Sequence, residues 1–563
     1  MTLADLPLGP LERAFVASLQ RLDPHASEPV LLAAALCCEV LSSGDVCLPL
    51  GRLAGKRPWP DQDFSLPPLA TWRAQLNASS LIGAPGDYAP LILVGERLYL
   101  ARYQAYEQQL AEQLLARAAD APDVDEAQLS DSLARLFAFN QQSPDWQRLA
   151  AAQAVRRRLA VISGGPGTGK TTTVVKILAI LMQAMESERL PEIALAAPTG
   201  KAAMRLSESV GNSMKKLELP KNIENALPVT VHTLHRLLGV RRNSPQFRHN
   251  RENPMAWDVV VVDEASMVDL AMMSKLVDAL KPGARLLLLG DKDQLASVES
   301  GTVLGDFIVS LPDNTVELQT TYRFDDNIKQ LAKAINAADS DTAWELLVAP
   351  AKTNITLLGA DPIPSITERY ARFMTAVYRP GSPDLHEIFQ LFNSFRVLCG
   401  VHYGNRGVDG INRRLELSLA GRGFPCRSGT WYPGRPVLIT RNDYGLDLYN
   451  GDIGICLPDR EKGDLKVWFE RADGHLRSYS SHRLPQCETV FAMTIHKSQG
   501  SEFDEVVVVL PEEDNRILSR ELIYTAVTRA RKSVRLVAEK QILRLALSRS
   551  IERFSGLADL LAE

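Results

Sequence analysis

The chain has 563 residues, 45% of them apolar and 23% charged, which is ordinary for a globular enzyme and enough for about three or four domains at ~150 residues each. A formal net charge of −4 excludes a globally basic nucleic-acid binder, so a polyanionic partner must be held in a local channel. The seven cysteines show no C-x-x-C spacing, the N-terminus has no basic leader, and the longest apolar stretch there (31–38) is too short to span a bilayer; the expectation is a cytoplasmic protein with reduced thiols and no membrane partner.

Residues 1–118 read as a helical docking domain, rich in periodic Leu and Ala and broken near Pro58, Pro60, Pro67 and Pro68. It carries no catalytic constellation, and Leu31, Leu32 and Leu36 are expected to face its own core. Residues 119–132 are acidic and Pro-containing, as an exposed connector is, and 119–144 are read as a linker.

From 145 to 324 short apolar runs alternate with helical patterns. The runs Leu159–Ile162, Ile193–Ala196, Val259–Val262 and Leu286–Leu289 are near-continuous, as a parallel sheet covered on both faces requires. Ligands in such sheets sit at the carboxyl ends of the strands. The first run leads into G-G-P-G-T-G-K-T at 164–171, which fits the phosphate-cradling loop G-x-x-x-x-G-K-[ST]. Gly164, Gly165, Gly167 and Gly169 let backbone N–H groups turn toward an anion, with Pro166, Thr168 and Thr172 in the same loop. Lys170 is expected at the β/γ-phosphates of ATP and Thr171 on Mg²⁺.

The second run continues as A-A-P-T-G-K-A (196–202), where small residues permit close backbone approach to a polyanion. The third ends in Asp263 and Glu264, the expected metal-holding and water-polarising carboxylates. The fourth ends in G-D-K-D-Q-L-A-S-V-E-S-G (290–301), where Gln294 is placed to sense a γ-phosphate. Arg323, in Q-T-T-Y-R-F, and Arg529, in Y-T-A-V-T-R-A-R (524–531), suit an arginine-finger role.

A second α/β unit is expected over 325–424 and 486–563, with strands at Val397–Cys399, Val506–Leu510 and Val534–Val537. Residues 425–485 interrupt it with alternating runs (Val437–Thr440, Leu465–Phe469) and turn residues, which suggests an inserted β-barrel.

These motifs, with W-Q-R-L-A at 146–150 and T-I-H-K-S-Q-G-S-E-F-D at 494–504, resemble in order and spacing those of superfamily 1 helicases. Within that superfamily, T-L-H-R-L-L-G (233–239), G-R-P-V-L-I-T-R-N-D (434–443) and Y-N-G-D-I-G (449–454) resemble the RecD family, alpha subunits of the RecBCD helicase–nuclease. The resemblance covers about 145–540. It implies two RecA-like domains clamping ATP, an SH3-like inserted barrel, 5′-to-3′ movement on single-stranded DNA from duplex ends, and RecB-like and RecC-like partners that hold the nuclease site. It also implies that Gln147 reads adenine, that Glu502 approaches the nucleotide sugar, and that Pro198, Thr199, His235, Thr494, His496 and Lys497 lie along the DNA. Residues 236–256, rich in arginine, occupy the place of the strand-splitting pin. Two alternatives stand beside this: a stand-alone helicase of the longer RecD-like branch, which the modest N-terminal region disfavours, and a DNA-binding P-loop switch that does not unwind.

Overall fold

The computed structural model describes residues 6–59, 64–137, 144–184, 190–217, 219–241, 244–297, 299–320, 325–349, 354–380, 384–443, 445–459, 463–471 and 474–562. The N-terminal region is helical, with a small sheet the sequence did not signal. Helix Glu28–Ser42 buries every residue from Val30 to Cys38, Leu31, Leu32 and Leu36 included, as a helix apolar all round must. The four strands are β1 (Leu48–Pro49), β2 (Ile82–Gly83), β3 (Leu91–Val94) and β4 (Arg97–Leu100), in the order β1-β4-β3-β2. None exceeds four residues, too few for a period-2 pattern to register.

Helix Ala101–Ala119 then packs Leu110, Ala111 and Leu114 into the core of the first α/β unit, beside Met273 and Leu276. The stretch expected as an exposed linker is more than a connector. Asp125 caps a helix, Glu126–Leu136, and Leu129 and Leu133 are buried in the same core as the helix that follows the phosphate loop. Its apolar residues recur at helical spacing inside an acidic sequence, so composition masked the amphipathic face.

The first α/β sheet contains β5 (Leu159–Gly164), β6 (Ile193–Ala197), β7 (Val231–Thr233), β8 (Val259–Val262), β9 (Arg285–Gly290) and β10 (Thr315–Leu318). All pairings are parallel and the order is β10-β5-β9-β8-β6-β7. Every residue of β5, β8 and β9 is buried, which is why these strands read as unbroken apolar runs. The second unit contributes β11 (Ile355–Leu357) and β12 (Phe395–Cys399). The chain then leaves for an antiparallel sheet, β13 (Pro436–Ile439), β14 (Ile453–Pro458), β15 (Leu465–Glu470), β16 (Leu476–Ser480) and β17 (Cys487–Thr489), in the order β16-β15-β14-β13-β17. It returns for β18 (Ala492–Thr494), β19 (Phe503–Val509) and β20 (Ala530–Val537), giving a second parallel sheet ordered β11-β20-β19-β12-β18.

The C-terminal segment departs from the expectation that all of 486–563 belongs to the second unit. Helix Lys540–Ser548 packs there, but Phe554, Leu557 and Leu561 are part of the core shared by the first unit and the N-terminal region.

Candidate active site

β5 ends at Gly164, and the chain turns through the glycine-rich loop into helix Lys170–Ala184. Gly167 and Gly169 have φ of +79° and +84°, a region that side chains disfavour. A Cβ on Gly169 would also overlap the Gln147 side-chain amide, which donates to the Thr168 carbonyl at 3.0 Å. Asp145 caps the helix that carries Gln147. Lys170 donates its ammonium to the carbonyls of Gly164 and, at 3.2 Å, Gly165, so it is turned onto its own loop at the mouth of the cleft. Thr171 and Thr172 line the same cleft, and the Thr172 hydroxyl pairs with Ser213 at 3.4 Å.

Two strands away, β8 is followed by Asp263 and Glu264. Burial, reinforced by the Glu264 charge and opposed by Lys170, pushes the Asp263 carboxyl up to about 6. Glu264 is held at φ 53°, left-handed backbone that costs a side-chain-bearing residue about 1–2 kcal/mol. Such strain at the end of a buried strand aims the carboxylate into a cleft of about 630 Å³, lined by Lys170, Thr171, Asp263, Glu264, Gln294 and Arg529. A desolvated carboxylate opposite a threonine hydroxyl is a donor set suited to Mg²⁺. No cluster of three or more His, Cys, Asp or Glu residues suited to another metal occurs among the described residues.

The second α/β unit closes the cleft. Arg529 is 2% exposed and donates to the Gln294 amide oxygen, the Thr525 carbonyl (3.2 Å) and the Ser501 carbonyl (3.2 Å). Gln294 in turn donates to Asp291 at 2.9 Å, and Asp291 accepts from the Tyr524 hydroxyl at 3.3 Å. The Leu295 N–H donates to Thr525 Oγ1 at 2.8 Å, and Gln499 donates to the Leu295 carbonyl at 2.8 Å. The loop after β9 is thus bonded to the second unit at Asp291, Gln294 and Leu295. Asp291, Tyr524 and Thr525 lie inside the quoted motifs, yet no spacing in the sequence singles them out. Glu502 is pinned between Arg205, an ion pair from the helix after β6, and Arg531 at 3.1 Å. Arg205 also escaped the sequence reading, as one more charge on an amphipathic helix. Arg323 lies outside the described residues.

The candidate nucleic-acid residues lie at or just beyond the carboxyl ends of β6, β7 and β18, the last two being edge strands of their sheets. Pro198 and Thr199 follow β6, and Thr199 accepts from the Ala202 N–H (3.2 Å) as the cap of helix Gly200–Met214. His235 follows the edge strand β7 and meets Phe247 edge-on, ring centroids 5.7 Å apart. Thr494 ends the edge strand β18, with His496 and Lys497 in the turn beyond it. Burial and the charge of Arg553 lower the pKa of His496, and Lys497 is ion-paired with Glu488 at 2.6 Å. Between the β6–β7 edge and the inserted sheet lies a groove of about 770 Å³. Lys201, Arg236, Arg471 and Arg477 line it with Tyr449 and with the carboxylates Asp447, Asp452 and Glu470, so basic side chains and one half-buried aromatic ring sit there beside acidic partners. Arg236 crosses it, 2.8 Å from Asp447 and 4.6 Å above the Tyr449 ring. Of the pin-like stretch 236–256, the described part is a short excursion closed by pairing of Val240 with Phe247 and of Asn250 with Asn253.

Comparison with known proteins shows the family to which the chain is related. The N-terminal domain family of RecBCD enzyme subunit RecD matches residues 6–99, the AAA domain family 147–300, and the UvrD-like helicase C-terminal domain family 489–537. The protein named RecBCD enzyme subunit RecD from Mycolicibacterium smegmatis is 42% identical over 97% of both chains. Its counterpart in Mycobacterium tuberculosis is 41% identical over 98% of this chain and 94% of its own. That of Haemophilus influenzae is 37% identical over 77% of this chain and 75% of its own.

Proposed function

This chain belongs to the RecD family of RecBCD enzyme subunits, and from that premise we propose that it is an ATP-driven 5′-to-3′ DNA helicase stimulated by single-stranded DNA, working beside RecB-like and RecC-like subunits in double-strand break repair. The observation that carries the reading is Arg529 of one α/β unit meeting Gln294 of the other beside the phosphate loop. Such a contact makes cleft closure depend on both domains, which is what a motor requires and a simple nucleotide switch does not.

In this reading ATP enters along β5, and Lys170 leaves the loop carbonyls for the β/γ-phosphates. Thr171 and Asp263 would hold Mg²⁺, which would supply neutralisation of phosphate charge. Glu264 orients the attacking water and takes its proton. Arg529, already buried among neutral oxygens, turns from Gln294 to the γ-phosphate, where an anion compensates its charge. Gln294 follows the same phosphate, so its presence or loss resets the contact between the domains. Their relative motion moves the single strand along the groove under the inserted sheet. Positive charge and aromatic faces there bind it with little sequence preference and a strong salt dependence. The second motor domain in this reading is 325–424 with 490–548, and 425–489 is its insertion, since β17 pairs with β13 in the inserted sheet.

The test is ATPase and strand separation on duplexes with a 5′ or a 3′ single-stranded tail, using Lys170→Gln as control. Unwinding from the 5′ tail that vanishes in the variant supports the proposal. DNA-independent hydrolysis with no strand separation supports the switch instead.

A further inference from the structure

Two residues, Glu552 and Arg553, carry the chain from one motor core to the other. Ile551 packs against the core of the second unit, and Phe554 against that of the first. From there Leu557 and Leu561 are buried beside Phe307 and Leu304, and the Ser555 hydroxyl and Gly556 N–H donate to the buried Glu107 at 2.8 and 2.9 Å. This C-terminal strap bridges both motor domains and the N-terminal region.

At its crossing point, Arg553 turns inward. Its guanidinium donates to the carbonyls of Ser297, Glu299 and Gly301 and to Ser297 Oγ, the last two at 3.2 and 3.3 Å. All belong to the loop that starts at Gln294. The N-terminal region holds the same loop beside Arg553: Gly301 donates to the Gly44 carbonyl at 3.0 Å, and Ser300 donates to the Leu41 carbonyl at 3.0 Å. Gly44 has φ of +101°, and a Cβ there would lie 2.9 Å from the Arg553 guanidinium carbon. The loop is therefore bonded to the second motor domain at Leu295 and clamped at Ser297 and Gly301 by the strap and the N-terminal region.

We propose that Arg553 is a positioning residue for ATP turnover: it fixes the far end of the Gln294 loop so that Gln294 and Arg529 meet the γ-phosphate in register, and it wires that loop to the N-terminal region. The inference rests on the motor reading above. A loop whose carbonyls lose a shared cationic donor shifts, and a shift of about 1 Å at a γ-phosphate contact costs up to roughly a hundredfold in turnover without changing how the rest of the nucleotide binds.

The experiment uses the full chain with oligothymidylate and three variants, Arg553→Ala, Arg553→Lys and Gly44→Ala. Expected for Arg553→Ala is a kcat lower by roughly tenfold or more with KM for ATP within about twofold. Arg553→Lys, which keeps a cation among the carbonyls, recovers part of kcat. Gly44→Ala, which pushes on the guanidinium from the N-terminal side, falls toward Arg553→Ala. Hydrogen exchange at the Leu295 and Gly301 amides should rise in the alanine variant while the phosphate loop stays protected. Unaltered exchange overturns the inference whatever the activity, and so does an unaltered kcat beside an active wild type. Loss of KM and kcat together with a collapsed melting temperature in both Arg553 variants also overturns it, since that is a purely structural role. A wild-type chain with no DNA-dependent turnover overturns the motor reading instead, a result the exchange measurement is independent of.

Discussion

The guanidinium of Arg529, buried in the second α/β unit, donates to the side-chain oxygen of Gln294 in the first, and the Gln294 amide nitrogen donates on to Asp291. The glutamine amide is thereby oriented from both ends. Among the described residues, Arg529 meets neutral oxygens at hydrogen-bond distance, while Glu264, Glu502 and Asp291 attract it from further away.

Residues acting as one unit lose little more together than apart. Gln294→Ala and Arg529→Ala are each expected to lower kcat by about 10²–10³-fold, as removal of a preorganised donor does. The double variant should lie within about threefold of the worse single one. Additive losses in a steady-state ATPase cycle would show that the two act separately.

Glu264, the proposed water-orienting carboxylate, sits on strained backbone. Glu264→Gln keeps shape and conformation, so it should bind nucleotide normally and lose turnover by roughly 10²-fold or more. Glu264→Gly releases the left-handed strain, partly offset by the flexibility glycine adds to the unfolded chain. It is expected to be about 0.5–1 kcal/mol more stable in denaturant titration while equally inactive. A glycine variant less stable than the wild type refutes the strain.

Gly169→Ala places a methyl group on the Gln147 amide and an alanine at φ +84°. Nucleotide affinity measured by titration should fall, and stability should drop by about 1–2 kcal/mol. Adding Gln147→Ala relieves the overlap but not the backbone, so it should restore part of the loss and never all of it.

Burial, helped by the charges of Arg396, Arg205 and Arg529 and opposed by Asp452, lowers the Lys201 pKa to about 7. The unfolded chain holds this proton up to about 10.5, so its folding cost is complete below about pH 7 and fades as pH rises toward 10.5. Lys201→Met should therefore raise the melting temperature most at or below neutrality. If Lys201 contributes to the proposed strand binding, single-strand affinity in the wild type should fall as pH rises through about 7, where this groove-lining ammonium loses its proton. A methionine variant with the same pH slope would place the titration elsewhere.

Much of the site was legible because its parts are local. The phosphate loop, the Asp263–Glu264 pair and the Gln294 loop each follow a strand buried on both faces. A run such as Val259–Val262 leaves an unbroken apolar signature that ends where the chemistry begins. The inserted antiparallel sheet was visible through its alternation and turns. The strands β1 to β4 were not, being too short to show a period, nor was the helix Glu126–Leu136, whose buried leucines sit in an acidic stretch.

Closure of the two halves depends on pairs far apart in the chain. Arg529 and Gln294 are separated by 235 residues, and Arg553 and Ser297 by 256. Such pairs obey no sequence period, because hydrogen bonds between domains depend on where two complete sheets come to rest. Local backbone chemistry and strand burial were enough to mark the nucleotide-binding edge of each sheet. Only the packing of one sheet on the other, with the strap drawn across them, decided which arginines meet that edge and which merely hold it in place.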